Sequence, residues 1–264
     1  MTNFDVAHKR QPVFILLLLG ALTGMLSGLF GIGGGIVLVP LLVLVLGYQQ
    51  KLAAGTSVAT ILPAAIVGGI TYAVQGHVDW IAALLLAIGI IGGAQLGSYL
   101  LQRIPTGVLR WIFMGFLVLV VVSLWFIVPS RDSEVTITLI SGAALIVVGF
   151  VTGILSGLLG VGGGVIVVPV LMFFFGANDL VAKGTSLIML IPGSISGTIG
   201  NFRRKNVDLR AAVPLGIAAS VCSPLGSIVA TYITPMWSNI AFSALLVIVI
   251  IQMATKALKG RKQK

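Results

Sequence analysis

Two glycine runs hold the chemistry this sequence can offer. Gly31-Ile32-Gly33-Gly34-Gly35 and Gly160-Val161-Gly162-Gly163-Gly164 each interrupt an apolar stretch and lead into a shorter one. A helix that starts from such a turn presents bare backbone N–H groups and the positive end of its dipole, which together suit a small anion. Ser27 and Ser156 stand four residues before the runs. Their hydroxyls serve either that site or close helix packing alongside Gly24, Gly28, Gly153 and Gly157. A second pair of interruptions, Gly55-Thr56-Ser57 and Gly184-Thr185-Ser186, is followed by Pro63 and Pro192. Threonine and serine supply neutral hydroxyls for an oxyanion or a sodium ion, and the proline frees a carbonyl one turn back. The other reading of Thr56 and Thr185 is a helix N-cap at a loop-to-helix junction. The candidate substrate-binding set is Ser27, Gly31, Gly33, Gly34, Gly35, Thr56 and Ser57, with Ser156, Gly160, Gly162, Gly163, Gly164, Thr185 and Ser186 as their counterparts.

These motifs are paired because the chain is a tandem duplication. Thr23 to Leu42 returns at Thr152 to Leu171, and the offset of 129 holds without a gap from Gly20/Gly149 to Ser98/Ser227. About 30 of the 76 positions from Thr23 to Ser98 are identical to their partners. Two copies of one structural unit are expected, broken at the same places.

Composition sets the solvent around those units. The chain is 58% hydrophobic and 8% charged, whereas soluble domains are about a quarter charged. Runs such as Pro12 to Phe30, Trp80 to Leu101 and Gly107 to Val128 approach or exceed the roughly 20 apolar residues a spanning helix needs. The fold expected is an all-α integral membrane protein, its first run a retained helix rather than a signal peptide, since no Ala-x-Ala site follows. The net charge of +10 sits in tails and short loops, so its partner is the lipid of an anionic inner leaflet, not nucleic acid. The lone Cys222 excludes an internal disulfide and a cysteine metal cluster, and reads as a packing residue.

Lysine and arginine in short loops mark the cytoplasmic side. Lys9 and Lys264 put both termini inside. In the first copy the loop at Gln75 to Asp79 lacks lysine and arginine, while Arg103 and Arg110 flank the next; in the second, Arg203, Arg204, Lys205 and Arg210 crowd the first loop, and Tyr232 to Asn239 carries no charge. A basic loop that changes place between copies is what oppositely oriented units require, so two inverted-topology repeats are expected. Each holds a Gly-broken helical hairpin plus about three further transmembrane helices. The path runs from Lys51 inside to His77 outside, Arg103 inside, Pro129 to Glu134 and Asp179 outside, Arg203 inside and Pro235 outside. The second arm Gly35 to Leu46 is too short to cross the bilayer, which puts the hairpin tip at depth, and Leu139 to Phe175 repeats this from the other face. Ten helical segments result, or six full spans if the hairpins are re-entrant. Boundaries fall at 1–11 for the N-terminal tail, 12–128 and 137–256 for the repeats, 129–136 for an external linker and 257–264 for a basic tail.

Other residues invite plainer readings. Asp79 and Asp208 precede Trp80-Ile81-Ala82 and Leu209-Arg210-Ala211 and look like N-caps. Lys183, whose counterpart is Ala54, reads as a loop lysine reaching to water, or as an attractant for anions at the outer mouth. No ionisable residue is expected within the membrane, which disfavours an acidic cation site or a carboxylate proton relay. No Walker loop, HExxH, CxxC or GxSxG occurs, and His8 and His77 lie in a tail and a loop, so the chain reads as no enzyme, with no metal and no cofactor.

The paired glycine-rich motifs ending in Pro40-Leu41-Leu42 and Pro169-Val170-Leu171, the Gly-Thr-Ser a short distance on, and the inverted halves resemble the TauE/SafE family of sulfite exporters, over about Pro12 to Leu258. The resemblance implies a bacterial inner-membrane permease, a secondary carrier of small anions such as sulfite or organosulfonates. Alternating access around a midplane site between the two glycine turns is the expected mechanism. An anion channel using the same turns as a filter is the alternative, and a membrane scaffold the third. The anion, the direction of transport, the coupling ion (proton or sodium) and any homo-oligomeric state are left open by the residues.

Overall fold

The computed structural model describes residues 12–125 and 139–261, and these form ten α-helices. They are α1 Val13–Phe30, α2 Gly35–Leu44, α3 Gln50–Val74, α4 Trp80–Arg103, α5 Thr106–Trp125, α6 Leu139–Leu159, α7 Gly164–Phe175, α8 Asp179–Arg203, α9 Leu209–Tyr232 and α10 Pro235–Arg261. Both expected hairpins are present, as α1/α2 and α6/α7. The tail at 1–11 and the linker at 129–136 lie outside the described residues. Helix α10 continues to Arg261, so regular structure reaches into the region expected as a tail.

Seven helices carry a stretch long and apolar enough to cross a membrane: α1, α3, α4, Ile140–Leu159 of α6, α8, α9 and Pro235–Thr255 of α10. The protein is an integral membrane protein. The count among the described residues is seven rather than six because, while the apolar stretch of α5, Thr106–Val122, falls short, α1 and α6 reach spanning length although each belongs to a hairpin. Their partners do not: α2 has 10 residues and α7 has 12, about 15 and 18 Å against a hydrocarbon core of about 30 Å. Leu84, Ile88, Val213, Ile217 and Val221 form exposed apolar stripes on α4 and α9, as lipid contact demands.

The two copies are interlocked rather than side by side. Helix α1 packs on α9 and α6 on α4, the most extensive pairings among the described residues. Glycines make both possible. A Cβ at Gly20, Gly24 or Gly28 would strike the carbonyl of Leu215, Ala219 or Ser223, and one at Gly149, Gly153 or Gly157 would strike that of Leu86, Ile90 or Ala94. Each pair in one set is the other displaced by 129, and in both the numbering rises together, so these helices run parallel. At the centre α3 meets its own counterpart α8 antiparallel, with Gly68 against Leu187, Gly69 against Ile188 and Val58 against Gly197. Lipid gives apolar side chains no reason to prefer one another, so association rests on van der Waals contact at this short range.

Gly28→Ala is therefore expected to lower the melting temperature of the purified protein in detergent, by the equivalent of about 1–3 kcal/mol. Gly115→Ala, where nothing lies within 4 Å of the added methyl, should be neutral or stabilising by up to about 1 kcal/mol. Equal melting of the two variants would mean that the α1/α9 contact is looser than the glycine spacing requires.

Candidate functional site

Each hairpin turns through glycine for a steric reason. Helix α1 closes with the Gly31 N–H on the Ser27 carbonyl at 2.9 Å, and α6 with Gly160 on Ser156 at 2.8 Å. Gly31, Gly33 and Gly34 have φ of 69°, 75° and 74°, and Gly160 and Gly162 have 71° and 78°, a left-handed region that other residues avoid. Gly163 departs from its counterpart Gly34, with φ at −81°. Neither α2 nor α7 has a side-chain N-cap. Their opening amides thus have no acceptor within the helix.

The structure brings the two turns together. A Cβ on Gly35 would run into the carbonyl of Gly160 and the backbone of Val161, and one on Gly164 into Gly31 and Ile32. Hydrogen bonds cross between the copies at this point. The Ser57 hydroxyl donates to the Gly160 carbonyl at 2.7 Å, and Ser186 donates to the Gly31 carbonyl and to that of Lys183. Gly-Thr-Ser lies within the unbroken helices α3 and α8, contrary to its reading as a second interruption or a cap; the helix N-caps are Gln49 and Asn178. Its three residues instead clasp the opposite copy. Gly55 and Gly184 leave room for the carbonyls of Asn206 and His77. Thr56 accepts the Asp208 N–H at 3.0 Å, and Thr185 accepts that of Asp79 at 2.9 Å.

Asp79 and Asp208 cap the next helices as expected, Asp79 accepting from Ile81 and Ala82 and Asp208 from Arg210 and Ala211. Asp208 also accepts the Tyr48 hydroxyl at 2.7 Å. Burial first, then this hydrogen bond and the carboxylate charge, raise the Tyr48 phenol above its ordinary pKa and keep it a donor.

Lys183 overturns its sequence reading. It lies in the second turn of α8, 5% exposed, and its ammonium is 3.3 Å from Asp179 Oδ2 and 3.2 Å from Ser238 Oγ. Asp179 is 1% exposed. A buried ion pair thus exists where a loop lysine reaching to water was expected; the i, i+4 spacing of Asp179 and Lys183 on a helix was the available signal. Beside it is a cavity of about 20 Å³, enough for one water, lined by Ile32, Gly164, Asp179, Lys183, Ser238 and Asn239 among others. Gln50, the counterpart of Asp179, is equally buried, and its amide has no hydrogen-bond partner. The hydroxyls of Ser27 and Thr152 are likewise buried and unpaired. Thr152, Gln50 and Tyr72, whose hydroxyl reaches the Gly28 carbonyl at 2.8 Å, are interior polar groups that sequence reasoning passed over. No group of three or more metal-ligating side chains occurs among the described residues.

The family model described as "Sulfite exporter TauE/SafE" matches residues 2–124 and 145–264, one segment for each copy. The chain is similar to the "Probable membrane transporter protein YunE" of Bacillus subtilis, 28% identical over 81% of this chain and 86% of that one. A "Probable membrane transporter protein" of Xylella fastidiosa is 30% identical over 84% and 86%, and one of Methanocaldococcus jannaschii 27% over 88% and 91%. No solved structure gives a significant match.

Loss of either crossed serine bond takes the donor from a buried glycine carbonyl. Ser57→Ala and Ser186→Ala are each expected to cost about 1–3 kcal/mol of stability. Because both hold the same pair of turns, the double variant should deviate from additivity by at least about 0.5 kcal/mol in detergent-solubilised unfolding; strict additivity would separate the two contacts.

Proposed function

The chain belongs to the sulfite exporter TauE/SafE family of membrane transporters, not to an enzyme family, and from that premise we propose that it is a secondary carrier of a small anion, sulfite or an organosulfonate. The observation that supports this reading most is the meeting of two glycine turns, one from each copy, inside a membrane protein. Irregular backbone is tolerated at membrane depth only where protein or a wet cavity surrounds it. Here each turn opens a short helix whose first amides are uncapped, and the two are braced by serines from the opposite copy. Substrate would be held by Gly33 to Gly35 and Gly162 to Gly164 through backbone N–H groups, with Ser27, Ser156, Thr56, Ser57, Thr185 and Ser186 around them.

The copies are read as inverted repeats. Antiparallel packing of α3 on its counterpart α8, and the exchange of contacts between α1/α9 and α6/α4, support opposite orientation in the bilayer. With the lysine and arginine distribution, both termini then face the cytoplasm of a bacterial cell. Transport would proceed by alternating access. Contact between the two turns supports a carrier over a channel, since the place a filter would occupy is filled by Gly35, Gly160 and Gly164 backbone.

Labelled sulfite in proteoliposomes, with sulfoacetate, sulfate, thiosulfate and lactate as competitors, should show saturable flux blocked by one or two sulfur oxyanions. Unsaturable flux would favour the channel, and no flux with folded protein would remove sulfur oxyanions as cargo. For orientation, in a Cys222→Ser background, His77→Cys should react with an impermeant maleimide from outside, and Arg203→Cys only after permeabilisation. The reverse pattern would sink the inverted arrangement.

A further inference from the structure

The geometry points to the cleft beside Lys183 as a second element of the anion path: an oxyanion site in which the Lys183 ammonium, the Ser238 hydroxyl and the Asn239 amide are the donors and Asp179 is the competing carboxylate. This deepens the carrier reading and rests on it. The cavity is lined by Ile32 and Gly164 from the two turns, Asp179 and Lys183 from the start of α8, and Pro235 and Ser238 from the start of α10. It therefore adjoins the glycine turns, and the backbone of Lys183 packs directly on Gly31.

A lysine and an aspartate buried together cost more desolvation than their attraction returns unless hydrogen bonds or a function compensate. Packing does not require them, because the first copy has Ala54 and Gln50 at these positions, with Leu109 for Ser238 and Arg110 for Asn239. The pair therefore belongs to the second copy alone, although the clasps around it are duplicated. Lys183 Nζ already splits its donors between a carboxylate at 3.3 Å and a hydroxyl at 3.2 Å, both longer than a strong charge-assisted bond. An arriving oxyanion meets a cation held in place by Asp179 and Ser238, and can take over the 3.3 Å contact to the carboxylate. When the site is empty, Asp179 balances the charge of Lys183. The 20 Å³ present holds a water and not a sulfur oxyanion, so binding must widen the cleft, which couples occupancy to movement of α10 and α7 against α8.

The test is calorimetric titration of the purified full chain in detergent with sulfite and with sulfate, independent of flux. K183Q should weaken binding roughly ten- to hundredfold, as loss of a charged donor does, while K183R stays within about threefold. D179N should bind several-fold tighter, because the competing carboxylate is gone; a purely structural ion pair would not produce that increase. K183Q that is folded, monodisperse and binds as the parent overturns the assignment and leaves the carrier reading intact. A parent protein that binds neither probe overturns the site and, with it, sulfite as the cargo. Should K183Q fail to fold, D179N decides: tighter binding supports the site, and unchanged or weaker binding overturns it.

Discussion

Hydrocarbon offers no hydrogen bonds, and this constraint orders everything else in the molecule. A helix that breaks at membrane depth exposes amides and carbonyls that only protein can satisfy. In each of the two breaks here a glycine carbonyl is satisfied by the other copy. Ser57 reaches the Gly160 carbonyl, Ser186 reaches Gly31, and the threonine beside each serine fixes the N–H that begins the next helix across the interface. Neither copy could present its glycine turn alone, so duplication and broken helix are one solution to one problem. Interlocking also explains why glycine recurs along α1, α4, α6 and α9: the backbones must approach within the reach of a single atom to hold one copy to the other.

Symmetry at the level of these clasps makes the departures from it informative. Gly34 and Gly163 occupy equivalent places and adopt opposite signs of φ. Asp179 and Lys183 form a buried pair where the first copy has Gln50, with an unpaired amide, and Ala54. A polar side chain buried in this way carries a desolvation cost in every state of the protein. Structural duty is already met by the shared serines and threonines, so these asymmetric groups are where the two copies can differ in function.

Much of the architecture was legible in the sequence, because bilayer thickness and helix rise translate directly into residue counts. Two short arms, two glycine turns and an offset of 129 were enough to foresee ten helices with paired hairpins. The Asp79 and Asp208 caps were readable because capping is local. Gly-Thr-Ser was misread as a break or a cap for the opposite reason. Its glycine looks like a break and its threonine looks like a cap, yet in α3 and α8 each residue answers to a backbone group more than a hundred positions away. Lys183 was misread because its exposure depends on Ser238 and Asp179 closing over it, and neighbouring sequence cannot report that. Tyr72 and Thr152 were missed since a single hydroxyl in an apolar run carries no periodic signal.

The same contacts limit how such a molecule can move. Helices α1 and α9 meet through glycine against carbonyl, as do α6 and α4, and a sliding step in either pair would force backbone through backbone. Each pair joins one helix from each copy, so the bodies that resist deformation are composite, and rocking of one intact repeat against the other would tear both. Compliance lies elsewhere. Where α3 faces α8, the neighbours of Gly68, Gly69 and Gly197 are the side chains of Leu187, Ile188 and Val58, and side chains can change rotamer at modest cost. The glycine turns lie against the middle of that seam, Gly33 on Ile61 and Leu190 and Gly162 on Ile61. Motion along it would reshape the turns and the cleft of Lys183 together, and the serine clasps are the contacts it would have to break.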